Sequence, residues 1–152
     1  MEREHTSTRR QLLQFGVAAT VASACGGCKL FGSRKPDAVV QPTDGEIRLT
    51  AEQSSALVKG EGSLLIKPDD ASEKIILIHS HDGKLYADSA TCTHLGCDVL
   101  YDEKLGHIRC PCHGSQYSLD GKNLKGPANR PLKSYPVRVQ DNQVIVSGLK
   151  TA

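Results

Sequence analysis

Two six-residue boxes constrain this chain more than anything else in it: Cys92-Thr93-His94-Leu95-Gly96-Cys97 and Cys110-Pro111-Cys112-His113-Gly114-Ser115. Together they hold four of the six cysteines and two of the six histidines. Cys-x-His and Cys-x-x-His supply two thiolates and two imidazoles, a donor set that suits zinc or an iron–sulfur centre. The set forms only if each box sits in a loop and the two loops converge. Cys97 and Cys112 are then left over. A zinc site built on the other four has no use for them, whereas a disulfide between them would clamp the loops together. His79, His81 and His107 fall on strand-like segments and read as packed or surface histidines, not ligands.

The rest of the chain must supply a scaffold for two such loops, and it reads as β. Short alternating or β-branched runs recur at 46–50, 64–67, 74–79, 84–88, 107–109, 135–139 and 143–147, at a spacing that favours antiparallel sheets. His81-Asp82-Gly83, Asp120-Gly121 and Asp141-Asn142 mark turns between them. One short helix is expected over 51–58, behind Thr50 as its N-cap. There is no Trp, and both Phe (Phe15 and Phe31) precede the β runs, so the core must pack on Leu, Ile, Val and Tyr. So modest a core favours a cross-link to supplement it.

The first 45 residues read as an address and a tether. Residues 1–24 have a basic start at Arg9-Arg10, a mildly apolar stretch and small residues at the end, which is the grammar of an export signal. Thr8-Arg9-Arg10 followed by Leu12-Leu13 resembles a twin-arginine signal. Leu12 to Ala24 is 13 residues, about 20 Å of helix against a hydrocarbon core of about 30 Å, so a permanent membrane span is strained. Ala22-Ser23-Ala24-Cys25 suits either cleavage after Ala24 or lipidation of Cys25, because small residues before a Cys resemble a lipobox. Residues 25–45 are rich in Gly, Pro, Lys and Asp and read as a flexible linker to a domain at 46–150. Without residues 1–24 the chain carries 16 basic against 15 acidic residues, so it has no electrostatic footprint for nucleic acid.

The two boxes, with fifteen residues between His94 and Cys110, resemble the signature of the Rieske [2Fe-2S] proteins. The resemblance covers roughly Glu46 to Gly148 and is densest from Cys92 to Gly126. It implies an all-β Rieske fold: an antiparallel β-sandwich with an inserted cluster-binding subdomain. It implies one [2Fe-2S] cluster, with Cys92 and Cys110 on the buried iron, His94 and His113 on the outer iron, and a Cys97–Cys112 disulfide. Ser115 and Tyr117 match the hydroxyl donors that follow the second box in the Rieske proteins of quinol-oxidising complexes, where they bond to cluster and cysteine sulfur. Such bonds favour the reduced, more negative state, which places the potential toward the upper part of the roughly −150 to +300 mV Rieske range. Gly126-Pro127-Ala128 resembles the loop that covers the cluster's third side, with Asn129 where a second proline is usual.

The resemblance implies a one-electron relay on the periplasmic side of a bacterial membrane: the iron–sulfur subunit of a quinol:cytochrome oxidoreductase, with quinol, b-type and c-type cytochromes or another redox subunit as partners, and a leader or lipid anchor as its attachment. Leu95, an apolar tip between the ligands, would suit docking into a membrane partner. Three other readings compete. One is the Rieske small subunit of an exported molybdenum oxidase such as arsenite oxidase. Another is a cytosolic Rieske ferredoxin, against which the leader, the Cys97–Cys112 pair, Ser115 and Tyr117 all argue. The third is a zinc-stabilised binding module without redox function.

Overall fold

The computed structural model describes residues 33–58, 62–69 and 73–149. The twin-arginine-like leader, Cys25 and the first part of the expected linker lie outside them. In chain order the elements are β1 (Ala38–Val40), β2 (Ile47–Leu49), α1 (Ala51–Val58), β3 (Gly62–Pro68), β4 (Ile75–His79), β5 (Leu85–Ser89), β6 (Leu100–Asp102), β7 (His107–Arg109), β8 (Gln116–Tyr117), β9 (Asn123–Lys125), β10 (Val137–Gln140) and β11 (Gln143–Val146). They form three sheets, ordered β1-β3-β4-β5, β10-β11-β2 and β6-β7-β8-β9. The fold is nearly all β, as the sequence implies.

Strand β4 explains the layering. Its run Ile75-Ile76-Leu77-Ile78 is apolar without interruption and wholly buried. Successive side chains of a strand point to opposite faces, so such a run needs apolar cover on both sides. Ile75 and Leu77 join one core with Ile47, Leu49, Val144 and Val146 of the three-stranded sheet. Ile76 and Ile78 join a second core with Val99, Ile108, Cys92, Cys110 and Tyr117. The central sheet is thus sandwiched between the three-stranded sheet and the cluster-binding subdomain, residues 90–136, inserted between β5 and β10.

Local signals act where they were expected. Gln53 N–H donates to Thr50 Oγ1 (3.3 Å) and Thr50 N–H to Gln53 Oε1 (3.0 Å), a reciprocal capping box that starts α1. Asp141 and Asn142, with φ of 50° and 58°, form a two-residue turn between paired Gln140 and Gln143; both positive φ values suit the twist of a β-hairpin. Gly121 has φ +78°, and a Cβ there would lie within 2.9 Å of Ser134 Oγ, Asp88 Oδ1 and the Leu132 carbonyl, so only glycine fits.

The linker reading requires a correction. Residues 38–40 fall within the expected tether yet form β1, which runs parallel to β3, the one parallel pair among the described strands. Asp37 clasps β3 from both sides of one residue: its N–H donates to the Leu65 carbonyl (2.7 Å), and its carboxylate accepts from Leu65 N–H (2.8 Å). Val40 is buried in the first core. Pro36 and Pro42 exclude a helix but leave an edge strand free to pair, and composition cannot separate that from a coil.

Asp88 on β5 is one of the groups through which the base sheet and the inserted subdomain meet. It is 1% exposed; Ser134 donates to Oδ1, and Oδ2 has no partner among the described residues. Burial pushes its carboxyl up to about 6, against the opposing effect of the Ser134 bond. Because the folded value lies above the unfolded one, the stabilisation is complete below about pH 4 and is lost as pH rises through 6. The head should therefore be weaker at pH 7.5 than at pH 4.5 by about 2 kcal/mol from this residue. Urea unfolding of the wild type and of Asp88→Asn at both pH values checks this. A pH-dependent difference that survives in the variant would assign it to other groups.

Candidate metal centre

The two boxes fold into two copies of one small loop. After β5, Cys92 N–H donates to the Cys97 carbonyl (2.8 Å) and Gly96 N–H donates back to the Cys92 carbonyl (2.9 Å). After β7, Cys110 N–H donates to the Ser115 carbonyl (2.8 Å) and Gly114 N–H to the Cys110 carbonyl (3.0 Å). The reversal needs a left-handed residue, and Gly96 and Gly114 supply it at φ 79° and 77°. Each box is thus a sequence-encoded loop with Gly at its fifth position. Cys97 and Cys112 join the loops as a disulfide, Cα–Cα 6.5 Å, as expected.

Of the remaining four side chains, the two thiols are buried and the two imidazoles lie nearer the surface. Cys92 and Cys110 are free thiols, each 2% exposed. His94 is half-buried and His113 exposed. Their rings meet edge-on, centroids 4.9 Å apart. His94 Nδ1 is buried without a hydrogen-bond partner among the described residues, an arrangement that costs free energy unless the nitrogen binds something. The Sγ atoms of Cys97, Cys110 and Cys112 also lie within 4.8 Å of one another. Two of those sulfurs are spent in the disulfide, so that trio offers a metal only Cys110.

Donors surround the sulfurs. Tyr117 is wholly buried, its hydroxyl 3.3 Å from Cys92 Sγ and 3.1 Å from Thr93 Oγ1, and it accepts from Thr93 N–H at 3.3 Å. Burial alone would push the Cys92 thiol up, but bonds from Tyr117, the His94 backbone, Cys110 and Ser115 outweigh it and hold the thiol below its usual value. Burial keeps the Cys110 thiol above its usual value. Ser115, also wholly buried, accepts from Ala128 N–H at 3.0 Å, while Asn123 Nδ2 donates to the Ala128 carbonyl at 2.9 Å. The third loop, with a cis Gly126–Pro127 bond, is thereby fastened to the second box.

Sequence reasoning missed two members of this shell. Thr93 links the Tyr117 hydroxyl to the third loop by donating to the Arg130 carbonyl (2.7 Å), and Asn123 holds Ala128. Thr93 was detectable, as the residue between two ligand candidates; Asn123 carried no signal. His79 and His107 lie on β4 and β7, and His81 in the turn after β4 places Nε2 2.9 Å from the Glu103 carbonyl, so none joins the site.

Two buried thiols, a buried imidazole nitrogen without a hydrogen-bond partner among the described residues and a second imidazole beside it suit a metal-binding β domain. Its mixed sulfur and nitrogen donors suit an iron–sulfur cluster held by two Cys and two His. Residues 43–136 match the Rieske [2Fe-2S] domain, and the chain belongs to that family, with one [2Fe-2S] cluster as its cofactor. It is 43% identical over 99 residues to the cytochrome b6-f complex iron-sulfur subunit of Chlorobaculum tepidum, covering 65% of this chain and 52% of that one, so it spans about half the length of that relative. It is 33% identical over 150 residues to the cytochrome b6-f complex iron-sulfur subunit 2 of Trichormus variabilis, covering 92% of this chain and 84% of that one. The crystal structure of the plasma-membrane Rieske protein of Synechocystis superposes with a TM-score of 0.53 at 34% identity, covering 65% of this chain and 95% of that one.

Proposed function

We propose that this chain is the iron–sulfur subunit of a quinol:cytochrome oxidoreductase of the bc type. On this reading Cys92 and Cys110 hold the inner iron, His94 and His113 hold the outer iron, and the chain passes single electrons from quinol to a cytochrome. A [2Fe-2S] group with two imidazole ligands supplies a one-electron couple at roughly −150 to +300 mV.

The observation that carries the reading is the Tyr117 hydroxyl 3.3 Å from Cys92 Sγ, with buried Ser115 contributing to the same sulfur's stabilisation. A donor at that sulfur favours the more negative, reduced state and so raises the potential into the range quinol oxidation requires. The surface His113 is where a quinol hydroxyl would hydrogen-bond and leave its proton. The names of the relatives agree, since they are subunits of cytochrome b6-f complexes. The leader and Cys25 would place and attach the chain on the periplasmic side, where the disulfide is stable. Among the described residues no helix is long and apolar enough to cross a membrane.

Reduced-state EPR with a redox titration of the full-length chain tests the reading. A Rieske signal at positive, pH-dependent potential is expected; one at negative potential, or a protein loaded with zinc, would overturn it. The Ser115→Ala/Tyr117→Phe variant should keep the cluster and titrate lower by roughly 60 mV or more, the equivalent of about 1.4 kcal/mol between the two redox states. An unchanged potential would remove these two hydroxyls from the account. Co-purification with a molybdenum-enzyme large subunit instead of a b-type cytochrome would transfer the chain to the oxidase alternative.

A further inference from the structure

Beside the first box lies a groove of about 660 Å³, with Thr93, His94 and Leu95 on one wall and Arg130, Leu132 and Lys133 on the other. Leu95 is 70% exposed, an apolar side chain standing next to a cluster-ligand candidate. Arg130 and Lys133 are both exposed, and among the described residues neither is in an ion pair. Lys133 Nζ is held 4.3 Å above the Tyr135 ring, so its charge is positioned rather than free to swing. The groove's one carboxylate, Glu73, is engaged by the Tyr135 hydroxyl at 2.8 Å. Three of the four acids of the inserted subdomain are occupied by cations of their own: Asp98 by Lys74, Asp102 by Arg109, and Asp120 by Lys122. Two cations without acidic partners therefore flank an apolar knob at the edge of the site, on a chain that is otherwise close to neutral.

We infer that the groove between Leu95 and Arg130–Lys133 is the docking surface for a redox protein that carries carboxylates around its own redox group. The inference rests on the reading of the chain as an electron carrier and adds the charge of its partner. Backbone geometry ties the rim to the centre, because the Arg130 carbonyl accepts from Thr93 Oγ1 within the first box. Cations placed there would steer an acidic face toward His94 and repel a basic one, an effect that at low salt is worth roughly 10-fold to 1,000-fold in association rate.

The test uses the reduced, full-length protein and stopped-flow oxidation by two probes, an acidic c-type cytochrome and a strongly basic one, across ionic strength. In Arg130→Glu/Lys133→Glu the rate with the acidic cytochrome should fall at least about tenfold at low salt and lose its salt dependence, while the rate with the basic cytochrome rises. Added negative charge near the cluster would lower its potential and speed donation, so a slower reaction cannot come from driving force. Lys84→Glu, in the turn at the far end of β5 from Cys92, should leave both rates as in the wild type. Equal rates and salt dependence in the double variant, or the same loss in Lys84→Glu, would overturn the surface. Binding to phosphatidylglycerol vesicles that the double reversal abolishes, with the cytochrome rates untouched, would also overturn it by assigning the cations to lipid. Failure of the electron-carrier reading would look different: no Rieske EPR signal in the wild type, and no oxidation of it by either probe.

Discussion

A Lys74→Met variant is expected to lose about 3–5 kcal/mol of stability, with a melting temperature lower by roughly 10–20 °C. Lys74 and Asp98 form a pair of 2.7 Å with side chains only 13% and 7% exposed. The ammonium also donates to Ser33 Oγ at 3.0 Å and to the Arg34 carbonyl at 2.5 Å, while Arg34 N–H donates to Asp98. Removing the cation leaves a buried carboxylate short of partners, a greater cost than the pair's net contribution. It also frees the segment at 33–37, which the pair holds against the residue following disulfide-bonded Cys97. Thermal circular dichroism and hydrogen exchange across residues 34–40 measure both effects. Lys74→Met/Asp98→Leu should recover a large part of the loss, because a buried pair replaced by apolar groups is often nearly neutral. A single variant that melts with the wild type would mean that the pair is solvated.

Cys97→Ala/Cys112→Ala should lose about 3 kcal/mol, the loop-closure entropy of the 15-residue separation that the disulfide spans. The loss falls on the two loops that carry Cys92 and Cys110, so bleaching of the bound cluster by a chelator should accelerate by at least about tenfold. The double variant is the informative one. With Cys97 alone removed, the Cys112 thiol would stand close to Cys110 and could oxidise with it. If the double variant keeps both the stability and the cluster lifetime of the wild type, the hydrogen bonds within each loop suffice to hold the site.

Much of the site was legible because its signals are local. Each box fits a turn whose hydrogen bonds close over five residues, and Gly96 and Gly114 stand where that turn requires left-handed backbone. Helix α1 was legible through Thr50 as cap and the Ala, Gln and Leu that follow it. Strands β1, β6, β8 and β9 were not. Each is two or three residues long and carries no alternating or β-branched run to mark it, and β1 owes its pairing to β3, 28 residues on.

By itself the sequence determined the donor set, two thiolates and two imidazoles with a spare cysteine in each loop, because ligand identity is a property of residue type and short spacing. Only the tertiary structure decided that residues 38–40 belong to the head, that Asp88 is buried with one oxygen unpaired, and that Lys74 reaches Asp98 across 24 residues. Those outcomes depend on what lies opposite each residue once the sheets have stacked, and neighbours distant in sequence leave no periodic trace in it.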